Sequence, residues 1–297
     1  MDKVLHIPVM YKEVLEYLNL RPGMVVLDAT VGTGGHSSEI LKRIMPKGRL
    51  IGLDKDRESL GVCQERLKEF KGSYELIYGD FREMDSLLKK INVTELDAVL
   101  FDVGVSSYQL EEADRGFSFK LEGPLDMRMD RSSFISAYDL VNNLNEEEIS
   151  RLLQAFGQER WHNRIAHYLI REREKSPIAS TVQLADLVSK AIPYRYRYQR
   201  IHPATRTFQA LRIAVNRELE ALDEAVKKAI ELLKKGGRIC VISFHSLEDR
   251  IVKLNFRKFS SESKLNLITK KPLIPTFQEI EHNPSSRSAK LRVAERL

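Results

Sequence analysis

The chain has 297 residues, of which 42% are hydrophobic and 30% charged, and its formal net charge is +6. These values are typical of a soluble globular protein with one large domain or two, and the modest positive charge is compatible with a polyanionic partner without requiring one. No apolar run approaches the roughly eighteen residues of a membrane helix, and no signal-peptide apolar region is present, so we expect a cytoplasmic protein. Cys63 and Cys240 are the only cysteines, which excludes a disulfide framework and a multi-cysteine zinc site, and no metal is expected.

The first predicted elements are a helix over residues 10–18 and an apolar strand that ends at Asp28. A loop with three glycines follows over residues 32–35, and a second amphipathic helix follows the loop. Glycines allow positive φ angles and the close approach of a ligand, and the start of a helix presents backbone N–H groups to it. This arrangement of strand, loop and helix predicts a site for a nucleotide-like cofactor.

The spacing of the glycine loop narrows the choice of cofactor. In a dinucleotide fingerprint counted from Gly32, the third glycine falls on Ser37, and no Gly-Lys-Ser/Thr follows for a phosphate-binding loop. The remaining pattern resembles the acidic glycine loop of S-adenosylmethionine (SAM) methyltransferases, with Thr30 in place of its first glycine. Asp54 ends the next strand, where an acid can accept hydrogen bonds from both ribose hydroxyls. An ordinary glycine turn is the alternative.

Two further strands are predicted over residues 74–78 and 96–102, and helices separate all four. This alternation predicts an α/β fold with a doubly wound, mostly parallel sheet, whose ligand crevice lies at the carboxyl ends of the strands. Asp28, Asp54, Phe81 and Asp102 are expected to line that edge.

The alternation stops after about residue 113. Residues 114–212 contain no convincing strand, and helical spacing is found at 146–156, 160–174 and 181–191. A long helix from about Thr207 to Lys235, a strand at 237–244, and a final antiparallel pair at 265–268 and 289–294 follow. We therefore predict a discontinuous core of residues 1–113 and 216–297 with an inserted helical substrate-recognition domain at 114–215.

Several long motifs occur in order along nearly the whole chain. They are His-Ile-Pro-Val-Met at 6–10, residues 28–37 of the glycine loop, and segments 102–110, 115–119, 123–129, 205–212 and 243–250. With these motifs the chain resembles the bacterial family of ribosomal RNA small-subunit methyltransferase H, also called MraW. One departure is Tyr108, where that family more often has proline.

The resemblance implies a seven-stranded SAM-methyltransferase sheet and methylation of a cytidine N4 amine in 16S (small-subunit) ribosomal RNA, either as free RNA or in the assembled subunit. It also implies a SAM site. The residues of that site are Gly34, Gly35, His36, Asp54, Phe81, Asp102 and Gln109. The resemblance leaves the oligomeric state open.

The chemistry of these residue types suits SAM. Asp54 would hold the ribose, Phe81 would face the adenine, and loop N–H groups near Gly34 would meet the methionine carboxylate. Asp102 would place negative charge near the ammonium or the sulfonium. The alternatives are that Phe81 is a core residue and that Asp54 and Asp102 cap helices. We assign no acid–base role to His36.

The candidate catalytic residues are Asp102 and His245. No Pro-Cys pair is available for carbon methylation of cytosine through a cysteine nucleophile. Methylation of an amine requires hydrogen-bond acceptors instead, and Asp102 or a carbonyl of its loop can supply them. His245 follows the fifth strand and would contact the base or relay its proton, unless it caps the next helix.

Residues 190–212 carry six basic side chains and no acidic one, interleaved with tyrosines. Arginines bind phosphates and aromatic rings stack unpaired bases, so this segment is a candidate RNA surface. Its members are Tyr194, Arg195, Tyr196, Arg197, Tyr198, Arg200 and Arg206. A solvated turn whose tyrosines pack on neighbouring helices is the alternative.

Two other functions stay open at this point. An amino-methyltransferase of the same fold would act on DNA or on a protein amine. A ribosome-assembly factor would bind SAM and RNA without turnover.

Overall fold

The computed structural model describes residues 7–197 and 201–297. The described chain divides into two compact units, one formed by the residues up to Gly104 with Leu219–Leu297 and the other by Val105–Glu218. The predicted boundaries at 113/114 and 215/216 differ by nine and three residues from the observed ones at 104/105 and 218/219. None of the helices in the described ranges has the length and apolar character needed to cross a membrane.

The first unit contains a seven-stranded sheet with the order β3-β2-β1-β4-β5-β7-β6. Its strands are β1 (Val25–Asp28), β2 (Arg49–Asp54), β3 (Tyr74–Tyr78), β4 (Leu96–Asp102), β5 (Leu233–Ser243), β6 (Leu265–Leu267) and β7 (Lys290–Arg296). Strands β1 to β5 pair in parallel, while β7 runs antiparallel to both β5 and β6. The prediction of a doubly wound, mostly parallel sheet with an antiparallel pair at its edge is confirmed.

Helices connect these strands, and several of them lie between β4 and β5. In chain order they are α1 (Tyr11–Tyr17), α2 (Gly35–Ile44), α3 (Arg57–Arg66), α4 (Met84–Lys90), α5 (Ser107–Glu111), α6 (Ala137–Asn143), α7 (Glu146–Gly157), α8 (His162–Arg173), α9 (Thr181–Ala191), α10 (Thr205–Asn216), α11 (Glu218–Leu232), α12 (Ser246–Ser261) and α13 (Phe277–His282).

Apolar cores cover both faces of the sheet. Leu27 and Phe101 pack with residues of α4, α11 and α12 on one face, whereas Val26 and Leu100 pack with α1, α2 and α3 on the other. Neighbouring residues of a strand point to opposite faces, so a strand buried on both sides is apolar throughout. Fully burying one such Leu or Phe side chain stabilises the fold by roughly 1.5–3 kcal/mol. The carboxyl ends of β1, β2 and β4 are thereby held at one edge.

The second unit is helical, as predicted. Helices α7, α8 and α9 occupy the segments where helical spacing was found, and their apolar faces share one core with residues of α6 and α10. The shorter helices α5 and α6 were not predicted. Both begin with a capping box, at Ser106 and Ser136, in which side chain and backbone satisfy each other.

The prediction of one long helix from about Thr207 to Lys235 is wrong. Arg217 adopts a left-handed conformation with φ of 49°, which ends α10 at Asn216, and α11 begins at Glu218. Asn216 turns its side chain onto the chain at the centre of this unit: its Nδ2 donates to Met127 O (2.8 Å) and its Oδ1 accepts from Met129 N (2.8 Å). These tertiary hydrogen bonds coincide with the break and are invisible to helical periodicity.

Candidate functional site

The glycine loop at the end of β1 is organised around the carboxylate of Asp28. The Ser37 hydroxyl donates to Asp28 Oδ2 (2.7 Å), and the Thr30 N–H donates to Asp28 Oδ1 (3.3 Å). Burial raises the pKa of Asp28, and these hydrogen bonds oppose that rise. Both oxygens are used inside the loop, so Asp28 shapes the loop rather than presenting an acid to a ligand.

Gly34 and Gly35 let the backbone pass close to its neighbours. Gly34 has φ of +80°, and a Cβ on it would lie 2.8 Å from the sulfur of Cys63. A Cβ on Gly35 would lie 2.9 Å from Pro8. Gly34 is also the N-cap of α2 and, as a glycine, has no side chain that could occupy the backbone N–H groups at the helix start. Backbone N–H groups at this helix start suit the carboxylate of a ligand.

Asp54 ends β2 beside the same loop. Its Oδ2 accepts from Gly32 N (2.8 Å), and its Oδ1 accepts from Asp56 N (2.9 Å). Burial outweighs these hydrogen bonds and raises the pKa of Asp54 to about 6. Each oxygen keeps a further lone pair, so the fixed carboxylate can accept two ribose hydroxyls.

Phe81 begins a 3₁₀ turn of residues 81–83 that follows β3. Its half-buried ring meets Phe101 edge to face, with the centroids 5.8 Å apart at an angle of 79°. Part of the ring therefore belongs to the core, as the alternative interpretation holds. Contact of the remaining part with an adenine stays a prediction.

Asp102 ends β4, where its backbone N–H donates to the Thr30 hydroxyl (2.6 Å). The Nε2 atom of His36, in the first turn of α2, lies 3.4 Å from Asp102 Oδ2. Nε2 of His36 and Oδ1 of Asp102 are shielded from solvent and have no hydrogen-bond partner among the described residues. Buried polar atoms without partners cost about 1–3 kcal/mol each, so this pair of atoms fits a polar ligand such as the amino-acid part of SAM.

His245 caps α12. Its Nδ1 accepts from Glu248 N (3.3 Å), which assigns the proton of the neutral ring to Nε2. Nε2 lies 3.1 Å from Glu248 Oε1, in a geometry that makes no hydrogen bond. Asp102 pairs with Ile242 across β4 and β5, so His245 follows β5 at the same edge of the sheet. The capping role is present, and it leaves an N–H at Nε2.

Neither thiol of the chain is suited to nucleophilic attack. Burial, reinforced by Asp28 and Asp54, raises the pKa of Cys63 to about 12. Burial likewise raises the pKa of Cys240 far above its usual range. Because the thiolate is the nucleophile, both cysteines are inert at neutral pH.

Gln109 lies in the second unit. It occupies the first turn of α5, where its Oε1 accepts from Ser106 N (3.1 Å) and its backbone N–H donates to Ser106 Oγ (3.2 Å). This reciprocal cap fixes the buried side chain within its own unit.

The candidate RNA segment of the second unit divides into exposed and internally bonded groups. Tyr194 is 70% exposed, whereas Tyr196 packs on Trp161 with centroids 5.3 Å apart. Arg197 donates to Ile192 O (2.8 Å) and Lys190 O (2.9 Å), and Arg206 donates to Gln158 O (3.4 Å). Tyr198 and Arg200 lie outside the described residues, and so does His6 of the first motif.

Sequence reasoning missed the roles of Thr30 and Ser37. Thr30 was noticed only as a departure from glycine, although that departure was the signal: a hydroxyl placed there reaches the N–H of Asp102. Ser37 gave no comparable signal, because a serine after a glycine turn is common.

The chain is similar to proteins of one methylase family. The model of the MraW methylase family matches residues 3–297. The chain is 47% identical to a protein of Trichlorobacter lovleyi named ribosomal RNA small subunit methyltransferase H, over 100% of both chains. It is 48% identical to a protein of the same name from Sulfurihydrogenibium sp., over 98% of this chain and 99% of the relative. A putative rRNA-methylase from Clostridium thermocellum aligns with a TM-score of 0.49 at 15% identity, covering 99% of this chain and 100% of that one.

Proposed function

Because the chain belongs to the MraW methylase family, we propose that it methylates the exocyclic N4 amine of a cytidine in 16S ribosomal RNA of the small ribosomal subunit. Its cofactor is SAM, which supplies an electrophilic methyl group on a sulfonium. The reaction joins that methyl group to N4, releases S-adenosylhomocysteine, and removes one proton from the amine. The protein must therefore align the amine with the methyl group and accept the hydrogens of N4.

The single observation that carries the proposal is the carboxylate of Asp102. Its Oδ1 is a buried acceptor without a hydrogen-bond partner among the described residues, on a backbone held by the Thr30 hydroxyl. An acceptor that binds an N4 hydrogen frees the nitrogen lone pair from the ring as the nitrogen becomes pyramidal. This interaction strengthens in the transition state, which is the condition for catalysis.

The inert thiols support nitrogen as the target. Methylation of cytosine at carbon 5 commonly uses a cysteine nucleophile, and Cys63 and Cys240 are both buried and protonated. His245 is the second catalytic candidate, because the N–H at Nε2 can donate a hydrogen bond to the target base.

The SAM contacts that we propose follow from the fixed groups. Asp54 accepts the ribose hydroxyls, Phe81 contacts the adenine, and the N–H groups of Gly35 and His36 meet the methionine carboxylate. Gly34, whose own N–H donates to Val31 O (2.8 Å), holds the backbone beside them. The carboxylate of Asp102 attracts the ammonium group of SAM when the cofactor binds. The same carboxylate then accepts a hydrogen bond from the N4 amine of the substrate. Gln109, which the family resemblance also implies, is fixed by its cap within the second unit, and its contact with SAM stays a prediction.

RNA is proposed to contact the second unit. The proposed contacts are Tyr194, Arg195, Tyr196, Arg197, Tyr198, Arg200 and Arg206. Arg197 and Arg206 donate to backbone carbonyls of their own unit. Tyr194 and Arg195 are exposed, and the guanidinium of Arg195 makes no such hydrogen bond within the described residues.

The test is transfer of labelled methyl from SAM to unmodified small subunits, to free 16S ribosomal RNA and to duplex DNA, followed by mass analysis of nucleosides. We expect N4-methylcytidine from the subunit or its RNA. Asp102→Ala should lower turnover by about 10²–10³-fold, as loss of one preorganised charge-stabilising group does. Asp102→Asn keeps the shape of the side chain but removes its charge, so SAM affinity is measured on this variant together with turnover.

Each other outcome changes the proposal. An Asp102→Asn variant that binds SAM normally and keeps full turnover would remove the side chain from the chemistry. Label in DNA, or in a ribosomal protein, would identify an amino-methyltransferase with another substrate. SAM binding without transfer to subunit, RNA or DNA would favour an assembly factor.

A further inference from the structure

Two arginines of the second unit share one aromatic ring. The guanidinium of Arg195 lies 4.7 Å from the centroid of the Tyr196 ring, and that of Arg160 lies 5.8 Å from it. Arg160 also lies 5.3 Å from the Trp161 ring. Arg160 precedes α8 and Arg195 follows α9, so only the tertiary structure brings them together. We call Arg160, Tyr196 and Arg195 the arginine cluster.

The ring that joins the two arginines is held in place. Tyr196 packs against Trp161 with centroids 5.3 Å apart, and both rings pack on the helical core of this unit. Stacking on a fixed ring restricts each guanidinium, so less entropy is lost when it binds a ligand.

No carboxylate neutralises the cluster within the described residues. Arg160 and Arg195 are exposed and form no ion pair there. The acid next in sequence is Glu159, whose buried side chain accepts from Trp161 N (2.8 Å). Two more arginines of the second unit, Arg164 and Arg197, donate to backbone carbonyls at the end of α9.

Arg171 of the same unit also contacts an aromatic ring, but its charge has an acidic partner. Arg171 lies 4.9 Å from the Tyr168 ring, and its Nη2 also lies 3.1 Å from Glu172. Its charge is balanced locally. Arg160 and Arg195 make the same kind of ring contact but have no acidic partner among the described residues. Their positive charges can therefore bind an anionic ligand.

We propose that the arginine cluster is a phosphate clamp that binds the sugar–phosphate backbone of single-stranded RNA. The inference rests on the proposed function and adds Arg160 to the residues named from the sequence, because Arg160 lies before the basic segment and meets Arg195 only through Tyr196. Planar guanidinium groups bind phosphate oxygens through two parallel hydrogen bonds. The exposed Tyr194 ring, two residues before Tyr196, is placed to stack a neighbouring base.

The test measures the affinity of the full-length protein for unmethylated 16S ribosomal RNA over a range of salt concentrations. Arg160→Gln and Arg195→Gln should each weaken binding about fivefold and reduce the slope of log K against log salt by about 0.7, the value for one phosphate contact on a single strand. Arg171→Gln removes one charge and one ring contact from the same unit and should change the affinity less than about twofold. Arg195→Lys should keep most of the salt slope, because it keeps the charge.

Thermal melting and SAM affinity, both measured on every variant, establish that each is folded. Methyl transfer measured in parallel should show a higher KM for RNA with kcat close to that of the parent protein.

The proposal is overturned if the double variant of Arg160 and Arg195 binds RNA with the affinity and salt slope of Arg171→Gln. It is also overturned if binding is lost only for the assembled subunit and not for naked RNA, which would point to a ribosomal protein. A parent protein that transfers no methyl to RNA would refute the proposed function, while the RNA affinities would still test the clamp.

Discussion

The loop at the end of β1 and the basic segment after α9 both carry charged residues, but the charges are held in opposite ways. In the first unit, Asp28 and Asp54 are fixed by backbone N–H groups and by the Ser37 hydroxyl. In the second unit, Arg160 and Arg195 stack on a ring and remain exposed. Removing one partner from a buried hydrogen-bonded network weakens the whole network. Exposed cations instead contribute to binding one by one, and salt screens them. The first arrangement suits one small cofactor, and the second suits a long polyanion.

The largest effect that would test this difference is expected for Gly34→Ala. The new methyl group would meet the sulfur of Cys63 at 2.8 Å, on a backbone with φ of +80°. Strain and overpacking together should lower the free energy of unfolding by about 2–4 kcal/mol and abolish measurable SAM binding. Denaturant unfolding and calorimetry measure the two quantities. Adding Cys63→Ala removes the clash and leaves the backbone strain, so recovery should be partial; full recovery would contradict a role for the positive φ.

Substitution of Thr30 tests how Asp102 is held. Thr30→Val keeps the shape but leaves the Asp102 N–H without its acceptor, which should cost about 1–3 kcal/mol and lower kcat. Thr30→Ser keeps the hydroxyl and should retain most activity. Turnover at saturating SAM and RNA, with unfolding measured alongside, separates the two variants. Equal turnover of Val and Ser variants would show that the hydroxyl does not position the carboxylate.

The pKa of Asp54 predicts a pH dependence. Its pKa of about 6 in the folded protein lies above the usual value of 3.8 for an aspartate, so the carboxylate gains its proton as the pH falls through 6. A protonated acid accepts ribose hydroxyls poorly, and SAM affinity should therefore fall about tenfold per pH unit below pH 6. Titration calorimetry between pH 5 and 8 measures it. Asp54→Asn should bind more weakly at pH 7 and lack this fall; an unchanged profile would assign the titration to another group.

The smallest expected effect is the difference in stability and RNA affinity between Arg197→Gln and Arg195→Gln. Arg197 donates to two backbone carbonyls at the end of α9, so Arg197→Gln should lower the free energy of unfolding by about 1 kcal/mol. Its effect on RNA affinity should be smaller than that of Arg195→Gln, which should leave stability nearly unchanged. Melting temperatures and RNA binding on the same preparations give the comparison. A reversed order would remove the distinction between bonded and exposed cations.

Much of the first unit was readable from sequence because its signals are local. Buried parallel strands are continuous apolar runs, and the acids at their carboxyl ends mark a shared edge wherever the sheet is parallel. The family assignment is confirmed because long motifs occur in order over nearly the whole chain. The break at Arg217 was missed because helical spacing continues across it, and a change of one backbone angle leaves no trace in apolar periodicity.

The sequence by itself determined the alternating fold, the helical character of the insertion and the set of acids at the sheet edge, since each depends on the order and period of residues along the chain. Only the tertiary structure decided which groups are engaged. It turned Asp28 inward onto Ser37, placed the Thr30 hydroxyl under Asp102, and joined Arg160 to Arg195 through Tyr196. These contacts link residues from different elements, and their strength depends on burial and direction, which arise only when the chain is packed.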